Sequence, residues 1–125
     1  MGCKMEKKKI LTVDDEIDIV KGLEVRLKFA GYEVITAYDG LEALNKARKE
    51  KPDLIIMDLM LPKIDGLKVC ALIKGDSRYS KIPIIILTAK AQESDVKLGK
   101  EVGADLYLTK PFDIKILLEK IKELI

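Results

Sequence analysis

Histidine and tryptophan are absent from this 125-residue sequence, and cysteine occurs only twice. Without histidine the chain has no Ser-His or Cys-His nucleophile, no His-ligated zinc and no phosphohistidine of its own. Cys3 and Cys70 lack the spacing of metal ligands, and so few cysteines favour a reducing compartment, which we expect to be the cytoplasm. The chemistry that remains is that of carboxylates, hydroxyls and lysine.

Long apolar runs and an excess of one charge are also missing. No apolar stretch approaches the ~20 residues of a membrane-spanning helix, and the N-terminus lacks the apolar segment of a secretory signal. The 23 basic and 21 acidic residues leave a net charge of +2, which is too balanced to indicate nucleic-acid binding. We therefore expect neither a membrane nor a nucleic acid as a direct partner.

Short apolar runs alternate with helical apolar spacings along the chain. Runs ending at Val13, Ala37, Met57, Leu87 and Thr109 predict five strands. Apolar residues three or four positions apart predict five helices, over Glu16–Ala30, Leu41–Lys51, Leu67–Lys74, Glu93–Val102 and from about Asp113 onward. This alternation predicts a flavodoxin-like α/β fold, a doubly wound parallel sheet in the order 2-1-3-4-5. Residues 1–7 would form a flexible tail, and residues 8–125 one domain.

Two details of the first two helices follow from the same pattern. The apolar spacing places Ile17 and Leu41 on the buried faces of their helices. Asp14 or Asp15 is positioned to cap the first helix, and Gly31 to end it.

Polar side chains stand at the ends of four predicted strands. Asp14 and Asp15 follow the first strand, Asp58 follows the third, Thr88 ends the fourth and Lys110 follows the fifth. Each has an ordinary structural explanation, such as a helix cap or a turn acid. Because the carboxyl ends of parallel strands meet at one edge, where ligands bind, their combined occurrence predicts a site.

The three clustered carboxylates narrow the chemistry of that site. Two unit charges ~4 Å apart repel by about 4 kcal/mol at an effective dielectric constant of ~20, so the cluster either raises a pKa or takes up a cation. Oxygen ligands favour Mg²⁺, with Mn²⁺ able to substitute, and Mg²⁺ indicates phosphoryl transfer. Asp58 can then accept a phosphoryl group, with Lys110 and Thr88 binding its oxygens.

Four segments around these strand ends carry the distinctive sequences of the chain. They are Val13–Glu16, Met57–Pro62 with Asp65 and Gly66, Leu87–Ala89, and Gly103–Asp105 leading to Tyr107–Phe112. In combination they resemble the receiver domains of two-component response regulators, proteins with the chemotaxis-regulator-like fold. The resemblance covers the chain from about Lys8 to its end.

The resemblance implies a role for each acidic residue of the site. Asp58 would be the phosphoacceptor in a Mg²⁺-dependent reaction. Asp15 and Asp58 would ligate Mg²⁺ through their side chains and Met60 through its backbone carbonyl. Asp14 would act mainly through a metal-bound water.

The residues at the ends of the fourth and fifth strands would bind the phosphoryl group. Thr88 and Lys110 would bind its oxygens with help from the Ala89 N–H, and a cis peptide bond would join Lys110 to Pro111. Thr88 moving toward the phosphoryl group would vacate space into which Tyr107 turns. The resemblance thus makes Thr88 and Tyr107 the switch, and the fourth helix, fifth strand and fifth helix the output surface.

The resemblance also implies partners. A sensor histidine kinase would donate the phosphoryl group, and a downstream effector protein would read the output surface. The chain would catalyse only its own phosphoryl uptake and slow loss, since neither Met60 nor Lys90 can orient an attacking water, and we do not class it as an enzyme. We expect a monomer, with dimerisation on phosphorylation as an alternative.

Other functions stay open at this point. A phosphorelay intermediate would pass the phosphoryl group to a histidine phosphotransfer protein. A flavodoxin-like cofactor binder would need a phosphate loop after the first strand, where Asp14, Asp15 and Glu16 repel an anion. A phosphohydrolase would need an acid or base where Met60 stands, and a pure interaction module would not need the acid cluster.

Overall fold

A computed structural model describes residues 7–89, 97 and 100–125. Within them, five parallel strands form one sheet in the order β2-β1-β3-β4-β5, as predicted. The strands are β1 (Lys9–Val13), β2 (Glu33–Ala37), β3 (Leu54–Met57), β4 (Ile84–Thr88) and β5 (Leu106–Thr109).

Four of the five predicted helices lie in the described part of the chain. They are α1 (Ile17–Phe29), α2 (Gly40–Glu50), α3 (Gly66–Lys74) and the C-terminal helix (Ile114–Leu124). The helix predicted over Glu93–Val102 lies largely outside the described residues, as does the predicted N-terminal tail apart from Lys7. Among the helices that are described, none has the length and apolar character of a membrane span.

The helices cover both faces of the sheet and create two apolar layers. In β3, every residue of which is buried, Ile55 and Met57 point to the layer formed with α2 and α3. Leu54 and Ile56 point to the layer formed with α1 and the C-terminal helix. Burial on both faces explains why β3 and β4 are continuous apolar runs rather than alternating ones.

The ends of α1 show one correct and two incorrect predictions. Gly31, with φ of +101°, follows the helix, and the Tyr32 N–H donates to the Leu27 carbonyl, a Schellman arrangement that a glycine favours. The N-cap, however, is Glu16, without a side-chain capping hydrogen bond. Ile17 is 55% exposed, because the first turn of α1 extends beyond the apolar stripe that contacts the sheet.

Helix α2 begins with a well-formed cap. The Asp39 carboxylate accepts a hydrogen bond from the Glu42 N–H at 2.7 Å, and the Glu42 carboxylate accepts one from the Tyr38 N–H at 2.8 Å. The pair resembles a capping box, except that the Glu42 carboxylate bonds to the residue before the N-cap rather than to the N-cap itself. The prediction that Leu41 faces inward is wrong: it is 43% exposed, since Ala43, Leu44 and Ala47 supply the buried face.

Candidate functional site

The register of the sheet brings the predicted site residues to one edge. Val13 pairs with Met57, so Asp14 and Asp58, the next residues of their strands, leave the sheet side by side. Thr88 pairs with Thr109, and the Lys110 N–H donates to the Thr88 carbonyl at 2.9 Å. Four strands therefore deliver their terminal polar groups to one place, as the sequence predicted.

Lys110 bridges the two buried acids of the site. Its ammonium lies 2.6 Å from Asp14 Oδ2 and 2.9 Å from Asp58 Oδ2. Asp14 is 3% exposed and Asp58 is 7% exposed, so the ion pairs form in a largely dry environment. The Lys110–Pro111 peptide bond is cis, in agreement with the resemblance.

Backbone donors hold the other oxygen of each buried acid. Asp14 Oδ1 accepts a hydrogen bond from the Glu16 N–H at 3.0 Å, and Asp58 Oδ1 accepts one from the Met60 N–H at 3.1 Å. Both are local turns in which a side chain bonds to the backbone two residues further on. They fix the orientation of the carboxylates before any ligand arrives.

A third carboxylate completes an acid cluster. One oxygen from each of Asp14, Asp15 and Asp58 lies within 4.8 Å of the others, with Asp15 exposed to solvent. Lys110 is the ammonium that contacts the two buried members, which leaves an excess of negative charge. This set of donors is made only of oxygens, and it fits a small hard cation such as Mg²⁺ or Mn²⁺.

The electrostatics of the buried ion pairs follow from burial and contact. Burial raises the pKa of Asp14, against the opposing effect of its hydrogen bond with Lys110. Burial would lower the pKa of Lys110, but its hydrogen bonds to Asp14 and Asp58 and the negative charges of these two groups together outweigh burial and raise the pKa. Lys110 is therefore a cation at neutral pH, whereas burial disfavours the ionised form of Asp14.

The cluster opens into a cleft of about 450 Å³. Its lining residues are those that follow the four strand ends: Asp15, Glu16, Asp58, Met60, Thr88, Ala89 and Lys110. Glu16 is the lining residue that the sequence prediction missed, although its position directly after the acid pair could have indicated it. Asp14 lies buried behind the cleft.

Tyr107 lies apart from this cleft. It is half-buried in β5, pairs with Ile86 in the sheet, and packs against the apolar layer on the α2 and α3 side. The structure thus brings together every predicted site residue except Tyr107, which stands two residues before the strand end that meets Thr88.

The fold and this edge of the sheet define a class of protein, and a family comparison agrees. The family model described as the response regulator receiver domain matches residues 10–122, so the chain belongs to that family.

Individual relatives and solved structures support the same assignment. The alkaline phosphatase synthesis transcriptional regulatory protein PhoP of Bacillus subtilis (strain 168) is 51% identical over 118 residues, covering 94% of this chain and 48% of the relative. The probable transcriptional regulator ycf27 of Cyanophora paradoxa is 48% identical over 122 residues, covering 98% of this chain and 50% of the relative. The chain thus spans about half the length of these curated relatives.

The structural neighbours match over nearly their whole length. The chemotaxis response regulator CheY4 of Vibrio cholerae superimposes with a TM-score of 0.89 at 38% identity, covering 96% of this chain and 100% of that one. The BeF3-activated DrrB receiver domain gives a TM-score of 0.85 at 34% identity, covering 95% of this chain and 97% of that one.

Proposed function

We propose that the chain is a phosphorylation-dependent switch that accepts a phosphoryl group on Asp58 from a sensor histidine kinase. The observation that carries this proposal is the pair of buried carboxylates bridged by Lys110 in a cleft that Thr88 also lines. Membership of the receiver family supports a histidine kinase as the donor. We place the protein in the cytoplasm, where such a donor presents its phosphohistidine.

Phosphoryl transfer at this site needs a nucleophile and a way to balance charge. Asp58 supplies the nucleophile: its Oδ2 forms the new bond to phosphorus, and the bond between phosphorus and the donor's histidine nitrogen breaks, returning the electron pair to the imidazole. The product is an acyl phosphate. Because Oδ1 is held by the Met60 N–H, Oδ2 is the oxygen available to react once Lys110 shifts.

Mg²⁺, when bound by Asp15, Asp58 and the Met60 carbonyl, with Asp14 acting mainly through a water, would supply positive charge to the phosphoryl oxygens. Lys110 then exchanges a carboxylate for a phosphoryl oxygen and so keeps an anionic partner throughout. The Thr88 hydroxyl would donate a hydrogen bond to a phosphoryl oxygen, with help from the N–H of Ala89, a residue that also lines the cleft.

The signal leaves through the elements attached to the site. Thr88 and Tyr107 form the proposed switch, on neighbouring strands that are paired in the sheet. The output surface comprises β5, the C-terminal helix and the segment between β4 and β5. We propose that the output surface controls a transcriptional regulator, because PhoP and ycf27 are described as transcriptional regulators. Each of them is about twice the length of this chain.

The test is incubation with acetyl phosphate and Mg²⁺, followed by intact mass spectrometry. We expect the wild-type chain to gain one phosphoryl group, and EDTA to prevent the gain. Asp58→Asn should gain none, whereas Asp53→Asn, a change at an acid outside the cluster, should behave like the wild type. A wild type that gains nothing, or an Asp58→Asn variant that gains as much, would contradict the proposal.

A further inference from the structure

The loop that follows Asp58 is fastened to the N-terminus of α2. The Pro62 carbonyl accepts hydrogen bonds from the Gly40 N–H at 3.1 Å and from the Ile64 N–H at 2.8 Å. Lys63, between Pro62 and Ile64, has φ of +69°, so these three residues form a γ-turn of the strained kind. A lysine remains in this conformation only where the surroundings hold it there.

Gly40 allows an unusually close approach of the two elements. A Cβ added at Gly40 would lie 1.7 Å from the Ile64 carbonyl oxygen and 2.6 Å from the Ile64 carbonyl carbon. These are backbone atoms, so any side chain at position 40 requires the loop itself to move. The ammonium of Lys63 lies 3.4 Å from Asp39 Oδ2, which adds a second contact between loop and helix.

The part of the loop nearest Asp58 is held by hydrogen bonds and packing, so it cannot absorb such a movement. The Met60 N–H is bonded to the Asp58 carboxylate, and the Gly66 N–H donates to the Leu59 carbonyl at 2.8 Å. Leu59 is anchored in the apolar layer. A shift at Pro62 therefore reaches Met60, which is two residues away and supplies a proposed backbone ligand.

We propose that Gly40 is a positioning residue for the cation site, which it supports by letting α2 clamp the loop between β3 and α3. The inference rests on the proposed function, because the site that it positions is the proposed Mg²⁺ site. Residues that orient metal ligands without touching the metal typically change metal affinity about 10- to 100-fold when mutated.

The experiment compares Gly40→Ala with Gly22→Ala in the full chain. Gly22 lies in α1 with nothing within 4 Å of an added Cβ, so it controls for replacing a helical glycine. Titration calorimetry with MgCl₂ should show a dissociation constant raised at least tenfold for Gly40→Ala and unchanged for Gly22→Ala. Acetyl phosphate labelling should show the half-saturating Mg²⁺ concentration raised in the same ratio, with the maximal rate within about twofold of wild type.

Two outcomes would overturn the inference. One is a Gly40→Ala variant that melts earlier yet binds Mg²⁺ as tightly as the wild type, which indicates a purely structural glycine. The other outcome comes from a second variant, which is needed if Gly40→Ala does not fold. Lys63→Met, which removes the ion pair with Asp39 and leaves the backbone of the turn unchanged, should then weaken Mg²⁺ binding about threefold, and an unchanged constant would contradict the clamp.

Failure of the inference and failure of the proposed function are distinguishable. A wild type that binds Mg²⁺ but takes no phosphoryl group would contradict phosphorylation and leave the calorimetric comparison intact. A wild type that is phosphorylated while Gly40→Ala binds Mg²⁺ normally would contradict the clamp alone.

Discussion

Replacing Lys110 with methionine tests how the acid cluster is held in the metal-free protein. The change keeps most of the side-chain volume but leaves Asp14 and Asp58, which are 3% and 7% exposed, without their shared ammonium. Removing one partner of a buried ion pair costs roughly 3–5 kcal/mol. Because the cleft admits water to Asp58, we expect the lower end, about 3 kcal/mol of unfolding free energy in EDTA.

Mg²⁺ should recover much of this loss. A cation bound only by the folded protein stabilises it by about 2.7 kcal/mol at a concentration 100 times its dissociation constant. The variant should gain more than the wild type, in which Lys110 competes for the same carboxylates. Urea denaturation followed by far-UV circular dichroism, in EDTA and in excess Mg²⁺, measures both effects.

An exposed lysine provides the matched control. The side chain of Lys28 is 57% exposed and pairs with Glu24 four residues earlier, so Lys28→Met should change the unfolding free energy by less than about 0.5 kcal/mol. A loss below 1 kcal/mol for Lys110→Met in EDTA would refute the reasoning. So would a loss that is the same in excess Mg²⁺.

Three further predictions concern a carboxyl, a thiol and the acyl phosphate. The raised pKa of Asp14 means that the folded chain binds its proton at higher pH than the unfolded chain does. The stabilising contribution of protonated Asp14 is therefore present at low pH and lost as the pH rises. The metal-free wild type should lose stability relative to Asp14→Asn between pH 4 and 8, measured from urea midpoints. A wild type that gains stability relative to the variant over this range would contradict this. Burial raises the pKa of the Cys70 thiol to about 11, so in a Cys3→Ser background a maleimide should label it only after denaturation; labelling within minutes in the folded protein would argue against burial. Met60, 59% exposed in the cleft lining, cannot orient a water, so the phosphorylated chain should persist for minutes or longer at neutral pH and Met60→Asn should shorten its lifetime; loss within seconds from the wild type would count against this.

The strand ends could be predicted from the sequence because they are marked by a local change from apolar to polar residues. Apolar runs stop where the buried sheet stops, and Asp58, Thr88 and Lys110 stand at those points. Parallel topology then places the ends on one edge without knowledge of any contact distance. The specific ammonium bridge could not be predicted in this way, because it depends on side-chain reach across strands that are 52 to 96 residues apart in sequence.

The incorrect predictions for Ile17 and Leu41 have separate causes. Apolar spacing does not show how far a helix extends past the sheet, so Ile17 was assigned to a core that does not reach it. Leu41 was assigned to the wrong face of its helix, because Gly40, Ala43, Leu44 and Ala47 form the buried face of α2. The requirement for glycine at position 40 could not be predicted from the sequence either. From sequence it marks only a turn after Asp39, because the partner that requires a glycine, the Ile64 carbonyl, belongs to the loop between β3 and α3, more than 20 residues further along the chain.

The position of Lys110 also limits how a signal can leave the proposed site. Its backbone N–H is bonded to the Thr88 carbonyl, so we expect the ends of β4 and β5 to stay joined if its side chain exchanges carboxylate for phosphoryl oxygens as proposed. That exchange moves an ammonium by a few bond rotations and does not itself displace a strand. We therefore expect any conformational change to begin at the side chain of Thr88, which lies in β4, the strand that pairs with the strand of Tyr107.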